Sequence, residues 1–152
     1  MQKITPFFWF NGKAEEATNF YVGIFPNSRV LGINRQGKDG LVFSTTFNLD
    51  GQDFFALNGG PMFSFTPAIS FFVNCETQAE VDELWGKLTE GGSEEPCGWL
   101  KDKYGVSWQI VPSLLPRLLR DKDPKKAQGA MAAMCKMKKI DMAALQKAYD
   151  EA

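Results

Sequence analysis

The chain has 152 residues and a formal net charge of −1, with 44% hydrophobic and 13% aromatic residues, so it can bury one substantial core and gives no electrostatic case for nucleic acid or an anionic membrane. It contains no histidine, which removes the commonest general base and the commonest metal ligand together. Three cysteines (Cys75, Cys97 and Cys135) without Cys-x-x-Cys spacing suit free thiols in a reducing compartment, and with no apolar run near ~20 residues and no basic leader, the expected location is the cytoplasm.

In chain order, residues 4–10 are apolar and aromatic, the composition of a strand buried on both faces. Asn11-Gly12 breaks it, and residues 13–25 place Ala14, Ala17, Tyr21 and Ile24 at helical spacing with Glu15 and Glu16 in the first turn. Strands are predicted over 29–34 and 41–49, then over 52–57 after the Asp50-Gly51 turn, which completes one βαβββ unit in residues 1–58. The glycine- and proline-rich stretch Asn58-Gly59-Gly60-Pro61 reads as a linker.

The second unit, 67–112, begins with a strand over 68–74. Thr77 is the N-cap of a helix running through Thr89, with Glu80 completing a capping box and Val81, Leu84, Trp85 and Leu88 on its apolar stripe. Residues 97–112, CGWLKDKYGVSWQIVP, read as strand, tight turn and strand. They repeat the earlier hairpin: Gly51 matches Gly105 and Phe54 matches Trp108, 54 residues on (105 − 51), while Ala17, Tyr21 and Ile24 match Val81, Trp85 and Leu88 at 64 (81 − 17). Residues 113–152 change to helix alone: 114–119, then a helix capped by Asp123-Pro124 with Ala127, Met131 and Met134 as its packing stripe, then one capped by Asp141 with Met142, Leu145 and Tyr149 inward. Its lysines read as solvated faces.

Two tandem βαβββ units are the organisation of the vicinal oxygen chelate fold, also called the glyoxalase/bleomycin-resistance fold. The fold class is therefore α+β, with paired units in 1–112 and a helical extension in 113–152. The segments FYVGIFPNS (20–28), LDGQ (49–52), ALNGGP (56–61), ISFFVNCETQ (69–78), the 97–112 stretch and MKKIDMAAL (137–145) resemble the PhnB-like family, whose members carry the label demethylubiquinone methyltransferase-like. The resemblance implies a homodimer. It also implies where a metal-dependent relative would have its ligands: Ile4, Phe55, Ala68 and Gln109. Three of these are apolar and the fourth is a neutral amide, so neither a metal nor another cofactor is expected. Methyl transfer would call for a glycine-rich turn from strand into helix, which Asn58-Gly59-Gly60-Pro61 does not supply.

Strand alternation groups Phe8 and Phe10 with Ile4, Phe55 and Leu57, groups Ser70, Phe72 and Asn74 with Ala68, and puts Ser107 with Gln109. Trp108, Ile110 and Phe54 fall on the opposite, helix-packed face. The first set describes an apolar cup with few polar groups, suited to a small aromatic or apolar ligand or else filled as core, and both readings stay open. The candidate ligand-binding residues are thus Phe8, Phe10, Phe55, Ser70, Phe72, Asn74, Ser107 and Gln109. The Gln109 amide has to be bonded to Asn74, Ser70, water or a ligand. Cys97 reads as a structural thiol, and Asp102 between Lys101 and Lys103 as an exposed turn rim. Three functions follow: a metal-free binding module, an enzyme on the same scaffold with Gln109, Asn74 and Ser107 orienting a small metabolite, or a non-catalytic dimeric scaffold.

Overall fold

A computed structural model describes residues 2–152 and divides them into two compact units, one ending at Ser64 and one spanning Phe65–Ala152. The first unit comprises β1 (Phe7–Phe10), α1 (Ala14–Ile24), β2 (Arg29–Gln36), β3 (Leu41–Leu49) and β4 (Gln52–Asn58). Its sheet runs β1-β4-β3-β2, with β1 parallel to β4 and the other pairs antiparallel. No side chain of Lys13 caps α1; instead the Ala14 N–H donates to Asn58 Oδ1 at 2.9 Å, so the end of the last strand closes the start of the helix. Ala14, Ala17, Thr18 and Tyr21 form the buried stripe, and the Thr18 hydroxyl meets that of Thr45 on β3 at 2.7 Å.

The second unit repeats this with β5 (Ser70–Cys75), α2 (Gln78–Thr89), β6 (Ser93–Glu94), β7 (Trp99–Lys101) and β8 (Ser107–Pro112). Its sheet order is β5-β8-β7-β6, the same path, with β5 parallel to β8. Thr77 Oγ1 accepts from Glu80 N at 3.1 Å, the predicted cap. The Glu80 carboxylate reaches back to the Glu76 N–H at 3.0 Å, one residue before the position a capping box uses. β6 has only two residues, too few for any alternating pattern to reveal; Trp85 Nε1 on α2 donates to its Glu94 carboxylate at 2.7 Å.

The helical extension belongs to the second unit: α3 (Leu114–Leu119), α4 (Pro124–Met134) and α5 (Met142–Asp150). Val111 of β8 clusters with Leu114, Leu115, Leu118, Ala130, Ile140 and Leu145. Fully burying each aliphatic side chain of this set contributes roughly 1.5–3 kcal/mol, enough to hold short helices that would be marginal alone. Met131 departs from the expected stripe: it is exposed, and Ala130 is the residue of α4 that packs inward. Gln78 ties the extension to α2, its Nε2 donating to Ile140 O at 3.0 Å and its Oε1 accepting from Met142 N at 2.8 Å. Among the described residues no helix is long and apolar enough to cross a membrane.

Candidate functional site

Each sheet has a face under its helix and a face away from it, and register decides which side chain goes where. In the first unit Phe7 is opposite Phe55 and Phe8 opposite Ala56. Phe8 and Phe10 therefore point at the helix. The Phe8 ring lies 6.3 Å from Tyr21, 6.4 Å from Phe47 and 5.6 Å from Phe54, and its exposure is 5%. This corrects the grouping of Phe8 and Phe10 with Phe55: they are core, and the outer face of β1 carries Phe7 and Trp9 instead. Phe7 packs on Phe55 at 5.5 Å and remains 57% exposed.

The physical reason is a one-residue difference between the two connections. The link from β1 to α1 is Asn11-Gly12-Lys13, whereas β5 to α2 takes only Glu76-Thr77. Register pairs Phe72 with Gln109 as it pairs Phe7 with Phe55, so the first strands are 65 apart (72 − 7) while the helices are 64 apart. A slip of one residue flips every side chain to the other face. The strand also starts at Phe7 rather than at residue 4, and Ile4 is exposed ahead of it.

Trp9 folds over the linker, its Nε1 donating to Gly60 O at 2.9 Å and its ring 4.9 Å from Phe63. A Cβ on Gly59 would come within 2.3 Å of that ring, so glycine is required there by close packing. The Asn58-Gly59-Gly60-Pro61 stretch is thus occupied by an indole and leads into no helix.

In the second unit Ser70, Phe72 and Asn74 share a face of β5, in register with Ser107, Gln109 and Val111 of β8. Gln109 Nε2 donates to Ser70 Oγ at 2.9 Å, one of the four partners the sequence allowed, while its Oε1 accepts from no described residue. Asn74 turns away to Glu76, Nδ2 donating to Oε1 at 3.1 Å. Phe72 is 54% exposed beside this pair. Ser107 is 1% exposed, and its Oγ has no hydrogen-bond partner among the described residues. On the other face Phe71 meets Trp108 at 5.3 Å and Ile110 is buried, as expected.

The residues standing at metal-ligand positions do not fit a metal. Ile4 and Ala68 lie outside the strands, Phe55 is packed on Phe7, and the strand residues that register sets opposite Phe55 and Gln109 are Phe7 and Phe72. Hydrocarbon side chains donate no lone pair, and one neutral amide is too weak alone. No cluster of three His, Cys, Asp or Glu side chains able to hold a metal occurs among the described residues.

Asp102 is 2% exposed rather than a rim residue. Its Oδ1 accepts from Tyr104 N at 2.8 Å and Val106 N at 3.0 Å, and its Oδ2 from Trp108 Nε1 at 2.9 Å. An Asp two residues before a turn N–H, with a tryptophan following on the same hairpin, is the signal that sequence reasoning overlooked. The carboxylate is committed to the turn. Two of the three thiols are no better poised for attack: burial, reinforced by Glu80 and Glu76, pushes Cys75 up to about 12, and burial and the neighbouring Cys135 push Cys97 up as well.

Comparisons with known proteins agree with this architecture. The family described as 3-demethylubiquinone-9 3-methyltransferase matches residues 2–111. The solved PhnB protein from Bacillus cereus is 41% identical, covering 74% of this chain and 100% of its own, with a TM-score of 0.68. A Pseudomonas aeruginosa protein is similar in fold at 19% identity and a TM-score of 0.63, covering 74% of this chain and 98% of its own. The fosfomycin resistance protein FosX from Listeria monocytogenes, solved with Mn(II) and a dihydroxypropylphosphonic acid, shares the fold at 16% identity and a TM-score of 0.54, over 71% of this chain and 90% of its own. No curated protein matches the chain. Because the family match takes in well over half of the residues, and the 41% identical relative is covered along its whole length, the chain belongs to the PhnB-like family described as 3-demethylubiquinone-9 3-methyltransferase, built on the vicinal oxygen chelate scaffold.

Proposed function

We propose that the protein binds a small, flat, aromatic or apolar molecule carrying one polar group, and that it does so without a metal. On the second unit the contacts are Phe72 as the stacking surface, with Gln109, Ser70 and Ser107 as polar partners and Asn74, held by Glu76, at the edge of the site. On the first unit Phe55, together with Phe7 and Trp9, offers aromatic surface of the same kind. The observation that carries this reading is the Gln109–Ser70 pair beside the exposed Phe72 ring, with Gln109 Oε1 open to a ligand donor. The unpartnered Ser107 hydroxyl, in register with Ser70, supports it further, because a buried hydroxyl left unpaired costs about 1–3 kcal/mol. Serine, asparagine and glutamine do not titrate near neutrality, so these groups orient a molecule rather than move its protons.

The test is Gln109→Leu. It should leave the fold intact and weaken binding of a polar-headed aromatic ligand about tenfold, the ~1.4 kcal/mol of one hydrogen bond. A thermal-shift screen across aromatic metabolites, run on both proteins side by side, reads this out. If no compound separates them and the variant loses stability alone, the amide is structural and the binding reading falls.

The same proposal has the protein working as a homodimer in the cytoplasm. Exposed Phe7, Leu41, Phe43 and Ile69 supply apolar surface for a partner copy, and three unpaired cysteines suit a reducing compartment. Sedimentation showing a clean monomer at micromolar concentration would remove the dimer.

A further inference from the structure

Cys97 sits in the 3-10 turn Pro96–Gly98 that leads into β7, and Cys135 is the C-cap of α4. Two backbone hydrogen bonds clamp these segments together: Cys97 N–H donates to Met137 O and Gly98 N–H to Lys138 O, both at 2.8 Å. Cys135 is itself fixed by its N–H on Met131 O at 3.0 Å, and the chain turns back through Met137 N on Met134 O, also 3.0 Å. These bonds seat Cys97 against residues 135–138, the segment that carries Cys135, 38 residues away in sequence (135 − 97). Cys135 is exposed, Cys97 half-buried, and Cys75 fully enclosed in the core. Cys97 also holds φ +65°, a conformation that a Cβ resists and that glycine adopts freely, immediately before Gly98 at φ +83°.

We propose that Cys97 and Cys135 form a reversible intramolecular disulfide that fastens the helical extension to the second sheet. The oxidant is a low-molecular-weight disulfide. The Cys135 thiolate attacks one of its sulfurs, so a mixed disulfide forms and half of the reagent leaves as a thiolate. Cys97 then gives its proton to solvent and attacks Cys135 Sγ; the protein disulfide forms and the second half leaves as a thiolate that takes up a proton. Two protein thiols are oxidised, one small disulfide is reduced to two thiols, and the protons balance. The order follows from exposure: Cys135 is open to the reagent and reacts first, and half-buried Cys97, whose thiol burial pushes up, resolves. The cross-link closes the loop that contains β7, β8, α3 and α4, which restricts the unfolded chain and holds the extension on the sheet.

The experiment exposes the whole reduced protein to oxidised glutathione, quenches it by alkylation, and reads intact mass and linked peptides. The expected product is lighter by the mass of two hydrogens, joins the Cys97 and Cys135 peptides, unfolds a few degrees higher than the reduced form, and reverts with dithiothreitol. Cys75→Ser should form it equally. Cys135→Ser, at an exposed position where folding is not at risk, should not. Stable glutathione on Cys135 with Cys97 still alkylatable in the wild type, or a linked pair that includes Cys75, would overturn the proposal.

Discussion

In the first unit the turn between β3 and β4 is held by Asn48, whose Oδ1 accepts from Gly51 N at 2.8 Å and whose Nδ2 donates to Asp53 Oδ1 at 2.7 Å. In the second unit the place 54 residues on (102 − 48) is Asp102, which takes two turn N–H groups and the Trp108 indole. The two substitutions belong together. Where the first unit packs Phe54, the second packs Trp108, and a buried indole brings an N–H that has to find an acceptor. A carboxylate supplies it and an asparagine already engaged with Asp53 does not. The repeat therefore holds in strand order and in the helix-packed faces, where volume decides. It diverges on the outer faces: Phe7, Trp9 and Phe55 on the first, Ser70, Asn74 and Gln109 around Phe72 on the second.

The largest effect should come from breaking the face assignment in the first unit. Phe8→Ala removes a ring from a core of Tyr21, Phe47 and Phe54 and should cost about 3–5 kcal/mol. Phe7→Ala, one residue earlier on the exposed face, should cost under ~1 kcal/mol. Urea unfolding of both variants measures the ratio, and equal losses would refute the register.

Most of this architecture is legible in the sequence because helix and strand periods are local. The apolar stripe of α1 and its counterpart in α2, the Thr77, Asp123 and Asp141 caps, and the hairpin glycines all emerge from spacing alone. What spacing does not carry is the phase of a strand. Four residues reading Phe-Phe-Trp-Phe are equally apolar on both sides, so nothing within β1 tells Phe8 from Phe7; only the parallel pairing with β4 does. The shared face of Gln109 and Ser70 is legible because Trp108 and Ile110, as large buried neighbours, fix the phase of β8. Asp102 departs from expectation for another reason: charge suggests exposure, and its burial is set by a tryptophan six residues away.

The turn comparison sharpens next. Asp102→Ala deprives two backbone N–H groups and one indole N–H of their acceptor and should cost about 3 kcal/mol, whereas Asn48→Ala should cost about 1 kcal/mol. If Trp108 is what demands the carboxylate, the Asp102→Ala loss measured in a Trp108→Phe background should shrink by about 1 kcal/mol, the coupling of one buried hydrogen bond. An additive cycle would show that the backbone turn alone explains Asp102.

The smallest effect concerns the helical extension, which only the second unit has. Tyr149 OH on α5 donates to Asp121 Oδ2 at 2.6 Å, and Asp123 N–H donates to the other carboxylate oxygen at 2.8 Å. These bonds, the Tyr149 one first, hold the Asp121 carboxyl below the usual carboxylate range, and the same bond leads the causes that raise Tyr149. The signs give a window. Asp121 is depressed on folding, so its contribution is complete above the ordinary carboxylate value near ~4 and is lost as pH falls through the folded one. Tyr149 is raised, so its contribution is complete below ~10 and is lost as pH rises through the folded value. Tyr149→Phe keeps the ring under Lys126, 4.8 Å from its centroid, and removes only the hydroxyl. The variant should melt about a degree or two below wild type across roughly pH 5 to 9, and the gap should close at both ends of the range. Melting curves against pH check this, and a deficit that persists unchanged at pH ~2 would mean that the hydroxyl acts through something other than the Asp121 carboxylate.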